Sequence, residues 1–211
     1  MIIIGIDIDN TICDSYPAYL EKYNLKYQKE VQLSEVLDFY YLNDLTDKEG
    51  AEFGGLIDEL VLSEEFQISL LPVGEAQKVI REWTDQGHLV HYVTARPVQM
   101  RKVTGQWLEK HGFWHKGTRL DLFDEKNGFK SDVDYKVSIA KKFSIRLFIE
   151  DAGQIAKAMK IPRTLISLKK AWTSGFELET TKATTVNDLR MIFTRSRYVS
   201  AASSRRCNGR R

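Results

Sequence analysis

Met1-Ile2-Ile3-Ile4-Gly5-Ile6-Asp7-Ile8-Asp9-Asn10-Thr11-Ile12-Cys13-Asp14-Ser15 opens the chain with a β-branched run that ends abruptly in acids and an amide. Ile2–Ile4 and Ile6 read as a strand buried on both faces, the pattern of a parallel sheet. Such strands deliver their chemistry just past their C-terminal ends, in the crevice where loops leave the sheet. Asp7 and Asp9, two residues apart, can therefore aim both carboxylates into one small volume there. Like charges held that close repel unless a cation separates them, so the pair asks for a hard divalent ion bound through oxygen, Mg²⁺ first. Asn10 suits a backbone that leaves the strand through positive φ, and Thr11 is expected to hydrogen-bond back and fix the turn.

Over the whole chain, 211 residues with 43% hydrophobic and 28% charged side chains are enough for an ordinary globular core. The net charge of +2 hides an uneven distribution. Residues 195–211 hold six arginines and no acid, leaving a body with 25 basic and 29 acidic side chains. Cys13 and Cys207 are too few for a disulfide framework or a zinc site, and Cys13 is expected to pack as a small apolar residue. The N-terminus lacks a basic region and its apolar run is broken by Asp7 and Asp9, so it reads as neither signal peptide nor membrane span. The expectation is a soluble, cytoplasmic chain without membrane partners.

From Ser15 to Leu71 the pattern is helical. Tyr16, Tyr19, Leu20 and Tyr23 share one face; Thr46-Asp-Lys-Glu49 is a capping box ahead of Phe53, Ile57 (or Leu56) and Leu60. An all-helical block placed directly after the first strand hangs over that strand's C-terminal end as a lid that excludes water. Leu71-Pro-Val-Gly74 then leads into a helix with Ala76, Val79, Ile80 and Trp83 on one stripe and Gly87 as its stop. A strand over His88–Val93 ends in Thr94-Ala-Arg96-Pro97, a hydroxyl and a guanidinium at a second strand end. Thr94 reads as a helix N-cap and Arg96 as a surface ion pair, and either could also bind an anion. A helix with Val103 and Trp107, a short strand near Arg119–Phe123, a turn at Asn127-Gly128 and a helix beginning at Asp134-Tyr-Lys136 follow. The fourth strand, Ile145–Ile149, ends in Glu150-Asp151; a helix over Ala152–Lys160, a strand over Arg163–Leu168 and a last helix capped at Thr185 complete the order. Strands alternating with helices imply an α/β fold, a parallel sheet with helices on both faces. Acids at two of three polar strand ends would be costly without a shared cation.

Asp7-Ile-Asp9-Asn-Thr11, Val93-Thr-Ala-Arg96, Lys136 and Phe148-Ile-Glu150-Asp151, in that order, resemble the four motifs of the haloacid-dehalogenase-like (HAD) phosphohydrolases. The resemblance spans residue 1 to about 168. It is nearest to the small 5′-nucleotidase and deoxyribonucleotidase branch, including bacterial nucleotidase-like proteins. It implies a Rossmann-like three-layer core over 1–14 and 72–194, a small helical cap over 15–71, and a basic tail over 195–211. It further implies a Mg²⁺-dependent phosphomonoester hydrolase in which Asp7 attacks phosphorus and forms an aspartyl-phosphate. Asp9 would be general acid and then base, its backbone carbonyl also touching the metal; Thr94 would bind the transferring group and Lys136 supply fixed positive charge. Asp151 and Glu150 would complete the metal shell, which of them directly staying open. Lys130 competes with Lys136 for the lysine role.

Asn10, Thr11 and Arg96 stand as substrate-binding candidates beside Phe39, Tyr40 and Tyr41, whose rings would stack a nucleobase or else form lid core. The substrate expected is a small phosphomonoester, a (deoxy)nucleoside monophosphate first, with a sugar phosphate or a nucleic-acid end as alternatives. The arginine-rich tail gives a reading of another class, nucleic-acid binding through phosphate contacts, set against a solvated terminus.

Overall fold

A computed structural model of the chain describes residues 1–35, 52–74, 76–161 and 163–166. Five parallel strands form one sheet in the order β3-β2-β1-β4-β5: β1 (Ile3–Ile6), β2 (Leu89–Pro97), β3 (Arg119–Phe123), β4 (Leu147–Glu150) and β5 (Arg163–Ile166). The run around Ile4 and Ile6 occupies the sheet's centre, where both faces are covered, which is why it carries no polar alternation. Register aligns the strand ends: Ile6 stands beside Tyr92 on one side and Ile149 on the other, and Asp7 N–H donates to the Ile149 carbonyl at 3.0 Å. Asp7, just past the end of β1, therefore stands level with Glu150, the last residue of β4, and one residue short of Thr94 on β2. Gly5 is required by close approach, since a Cβ there would lie 2.5 Å from the Phe148 ring.

The helices are α1 (Ser15–Tyr27), α2 (Glu52–Leu62), α3 (Glu64–Ser69), α4 (Ala76–Asp85), α5 (Arg101–Lys110), α6 (Asp132–Lys142) and α7 (Gly153–Ala158). Along α1 the buried stripe is Tyr16, Leu20 and Tyr23. On α2 Leu56 and Leu60 are buried, and α3 starts where the Ser63 hydroxyl accepts the Phe66 N–H at 3.2 Å. The chain returns beside the point where it left the sheet. Asp14 N–H donates to the Leu71 carbonyl (2.8 Å) and Val73 N–H to the Ile12 carbonyl (2.7 Å), so the two ends of the intervening stretch are clasped together. Trp107 of α5, fully buried, donates from Nε1 to the Leu70 carbonyl at 2.8 Å.

Several boundaries depart from the sequence reading. β2 continues past Val93 to Pro97, with a break in register against β3 between Thr94 and Pro97; this irregularity turns Arg96 inward while Ala95 faces out. α6 begins at Asp132 because the Ser131 hydroxyl accepts the Asp134 N–H at 3.1 Å, an N-cap not used in that reading. β4 starts at Leu147, and α7 is shorter than Ala152–Lys160. The capping box at Thr46, the aromatic run Phe39–Tyr41, the helix at Thr185, Cys207 and the arginine-rich 195–211 lie outside the described residues. Among the described residues no helix is long and apolar enough to cross a membrane.

Candidate active site

At the C-terminal edge of β1, β2 and β4 lies a cavity of about 210 Å³. Asp7, Asp9, Asn10, Thr94, Arg96, Lys136, Glu150 and Asp151 all line it, although they come from four separate stretches of sequence. Its other wall is helical: Tyr16 and Tyr19 of α1, Ile57 and Val61 of α2, and Gln67 of α3.

The loop after β1 is shaped by backbone rather than side chain. Asn10 adopts φ 55°, as its position after the acids predicts, and the N–H groups of Thr11, Ile12 and Cys13 converge on the Ile8 carbonyl at 3.3, 3.0 and 2.9 Å. Thr11 does not do what the sequence suggested. Its hydroxyl is fully buried with no hydrogen-bond partner among the described residues, and it does not line the cavity. The Asn10 side chain serves the fold: its Oδ1 accepts the Tyr16 N–H at 2.9 Å and the Ser15 hydroxyl at 3.4 Å, capping α1 from outside.

Lys136, 2% exposed on α6, places Nζ 2.8 Å from Asp7 Oδ1 and 2.9 Å from Glu150 Oε2. Burial alone would drive the ammonium to the neutral form, but the two carboxylates outweigh it and raise its pKa. Lys130, by contrast, is exposed. Ligand oxygens of Asp7, Glu150 and Asp151 lie within 4.8 Å of one another, all three residues buried. Burial pushes Asp7 up to about 7 despite Lys136, with Glu150 and Asp9 adding to the rise. Glu150 is likewise pushed up to about 7 by burial against the pull of Lys136, with Asp151 adding to the rise. Three buried acids facing one ammonium thus carry surplus negative charge on oxygen donors alone, the donor set a hard divalent cation fits. Glu150 has both oxygens engaged, Oε2 with Lys136 and Oε1 with the Ala152 N–H at 3.2 Å.

Asp9 is held apart from this group. Arg96 grips it with a bidentate fork, Nε to Oδ2 and Nη2 to Oδ1, each 2.8 Å. The ion pair is part-buried, with Arg96 5% exposed and the Asp9 side chain 28%, not the surface pair considered from sequence. Burial would raise the Asp9 pKa, but Arg96 prevails and holds the carboxyl below its usual range. Arg96 therefore is no open anion site in this arrangement. The Thr94 hydroxyl, fully buried, accepts the Arg96 N–H at 3.2 Å and is not a helix cap. Cys13 packs as a small buried residue, its Sγ 3.6 Å from Arg96 Nη2.

Sequence reasoning did not single out Tyr19 or Gln67 for the cavity. Tyr19 appears in the sequence only as one more residue of an apolar stripe, and Gln67 carries no local signal at all.

Residues 1–146 match the family model described as 5′ nucleotidase, deoxy (pyrimidine), cytosolic type C protein. The chain belongs to this 5′-nucleotidase family. Two curated proteins agree: a "Putative nucleotidase" of Bacillus cereus, 24% identical over 161 residues (74% of this chain, 79% of that one), and another "Putative nucleotidase" of Halalkalibacterium halodurans, 28% identical over 174 residues (70% and 78%). Among solved structures, a HAD family hydrolase from Deinococcus radiodurans, crystallised with bound phosphate and sodium, shares the fold at TM-score 0.52 with 12% identity, covering 77% of each chain. This family member is thus a phosphatase-type hydrolase with the HAD fold that its four sequence motifs suggest.

Proposed function

We propose that the chain is a Mg²⁺-dependent phosphomonoesterase that hydrolyses nucleoside or deoxynucleoside monophosphates through a phosphorylated Asp7. The observation that carries this reading is a single cavity holding Asp7 on Lys136 at 2.8 Å, two further acids at metal-ligand spacing, and a separate carboxylate, Asp9, on its own guanidinium. Lys136 occupies Asp7 Oδ1, which leaves Oδ2 to form the bond to phosphorus as the ester P–O bond breaks. Asp9 gives a proton to the departing alkoxide. Asp9 then takes one from the water that attacks phosphorus, releasing phosphate and regenerating Asp7. Because Arg96 keeps Asp9 ionised at rest, the base role comes readily and the acid role needs a trigger. An incoming phosphoryl dianion supplies it, competing for Arg96 and favouring the protonated carboxyl.

Asp7 and Asp151 would hold the metal directly, with Glu150, both of whose oxygens are engaged, orienting Lys136 beside them. The Asp9 side chain is committed to Arg96, so Asp9 would contribute its backbone carbonyl. Bound there, Mg²⁺ neutralises phosphoryl oxygens that would otherwise repel the Asp7 carboxylate. Thr94 would donate its hydroxyl proton to the transferring group. The apolar walls of Tyr16, Ile57 and Val61 suit a flat, partly apolar leaving group, in keeping with the nucleotidase names of the relatives.

The test is phosphate release from a panel of nucleoside monophosphates and sugar phosphates, with Mg²⁺ and with EDTA. Nucleotides are expected to lead the panel and EDTA to stop release. Sugar phosphates at the head of the panel would remove the nucleoside from the reading, and release undiminished by EDTA would remove the metal.

A further inference from the structure

Gln67, 2% exposed, places Nε2 2.9 Å from the Tyr19 hydroxyl and 3.0 Å from the Leu60 carbonyl. A carbonyl only accepts, so the Leu60 contact fixes which end of the amide is NH₂. Both amide protons are then committed: one goes to Leu60, the other to Tyr19. The Tyr19 oxygen receives a proton from Gln67 and must send its own elsewhere, and among the described residues it donates to no protein acceptor. Tyr19 lines the cavity with Asp9 and Arg96, and its ring is anchored on Phe66 at a centroid distance of 5.1 Å. Burial, with the Asp9 charge adding to it, raises the phenol's pKa, so it remains a donor.

From this polarity we infer that Tyr19 is a specificity-determining residue, its hydroxyl donating to an oxygen of the leaving alcohol other than its ester oxygen, with Gln67 as the positioning residue that orients it. The inference rests on the nucleotidase reading and deepens it. The apolar wall of Tyr16, Ile57 and Val61 has no preference among flat groups, whereas a donor fixed in direction rejects an alcohol without an acceptor. A sugar hydroxyl and a base carbonyl share the required chemistry.

The experiment compares kcat/KM of wild type and Tyr19→Phe for a deoxynucleoside 5′-monophosphate, deoxyribose 5-phosphate and phenyl phosphate, which has no acceptor beyond its ester. Tyr19→Phe keeps the ring on Phe66 but leaves one Gln67 amide proton unpartnered, and its melting temperature is expected to fall by only a few degrees, about 2–4 °C per kcal/mol, so the variant stays folded at the assay temperature. The ratio of nucleotide to phenyl phosphate kcat/KM is expected to fall roughly tenfold, the cost of one hydrogen bond, mostly in KM. If deoxyribose 5-phosphate falls with the nucleotide, the acceptor is on the sugar; if it stays with phenyl phosphate, the acceptor is on the base. Gln67→Leu, which frees the hydroxyl to rotate, is expected to lower the same ratio by a smaller factor. Nucleotide hydrolysis with an unchanged ratio in Tyr19→Phe would overturn this inference alone. Hydrolysis of phenyl phosphate but of neither biological substrate by wild type would overturn it together with the nucleotidase reading.

Discussion

Arg96 holds two positions of the site at once, through its backbone N–H on Thr94 and its guanidinium on Asp9. Replacing it by Met would leave Asp9 facing burial without a counter-charge, so its pKa would rise toward and past the usual carboxylate value. Removing one partner of a buried pair costs about 3 kcal/mol at the low end, and the low end applies because the Asp9 side chain keeps 28% exposure. Urea unfolding at pH 7 should report that loss for Arg96→Met, and a loss under about 0.5 kcal/mol, the scale of an exposed pair, would mean the pair is not formed in solution. The charged and polar residues that line the cavity were legible as residue types, because Asp7, Asp9, Thr94, Lys136, Glu150 and Asp151 each lie at or near the end of a recognisable strand or the start of a helix. Their pairing was not. Asp9 meets Arg96 87 positions away and Tyr19 meets Gln67 48 positions away, and local periodicity gives the face a residue occupies but never its partner across the fold. Thr11 failed for a related reason: three backbone N–H groups on the Ile8 carbonyl already hold the turn its hydroxyl was expected to fix.

Between elements, the alignment of strand ends depends on how β1 seats between β2 and β4. Gly5 admits the Phe148 ring where a Cβ would collide at 2.5 Å, and Phe148 is fully buried. Gly5→Ala should therefore destabilise by about 1–3 kcal/mol in denaturant unfolding, as overpacking does, despite the better strand propensity of alanine. Neutral or raised stability would show that β4 yields more easily than its packing implies. At the sheet's edge β3 is tied to β2 by Asp121 on His91. The His91 hydrogen bond lowers the Asp121 pKa against burial, so the folded carboxyl is more acidic than the unfolded one. That contribution is present above the unfolded pKa and lost as pH falls through the folded one. Asp121→Asn should accordingly lower the melting temperature at pH 7, and the gap from wild type should begin to narrow near pH 4, the ordinary carboxylate value, and close only below the lower folded pKa. A gap that does not change as pH falls below about 4 would assign it to packing. The parallel sheet itself was legible, since buried β-branched runs alternate with helical stripes. Strand and helix ends were not: the β2 irregularity past Thr94 and the Ser131 cap are settled by neighbouring strands and loop geometry, which propensity does not contain.

Across the molecule, one cavity joins two halves of the chain. The sheet contributes charge, and α1–α3, clasped at Asp14–Leu71 and Ile12–Val73, contribute a largely apolar wall that carries the Tyr19 hydroxyl bonded to Gln67. This division suits a reaction whose chemistry is constant and whose leaving group is selected. Water-poor surroundings also strengthen the Lys136 and Arg96 ion pairs, both with a cationic partner 5% exposed or less. The proposed mechanism stands or falls on Asp7 carrying the phosphoryl group during turnover. An acid quench of enzyme turning over a nucleoside monophosphate with Mg²⁺, followed by peptide mass spectrometry of wild type and Asp7→Asn, observes that group itself. One added phosphoryl group is expected on the peptide containing Asp7 in wild type, and its loss together with turnover in Asp7→Asn. Turnover that persists in Asp7→Asn, or a phosphoryl group mapped to any other residue, would contradict the mechanism.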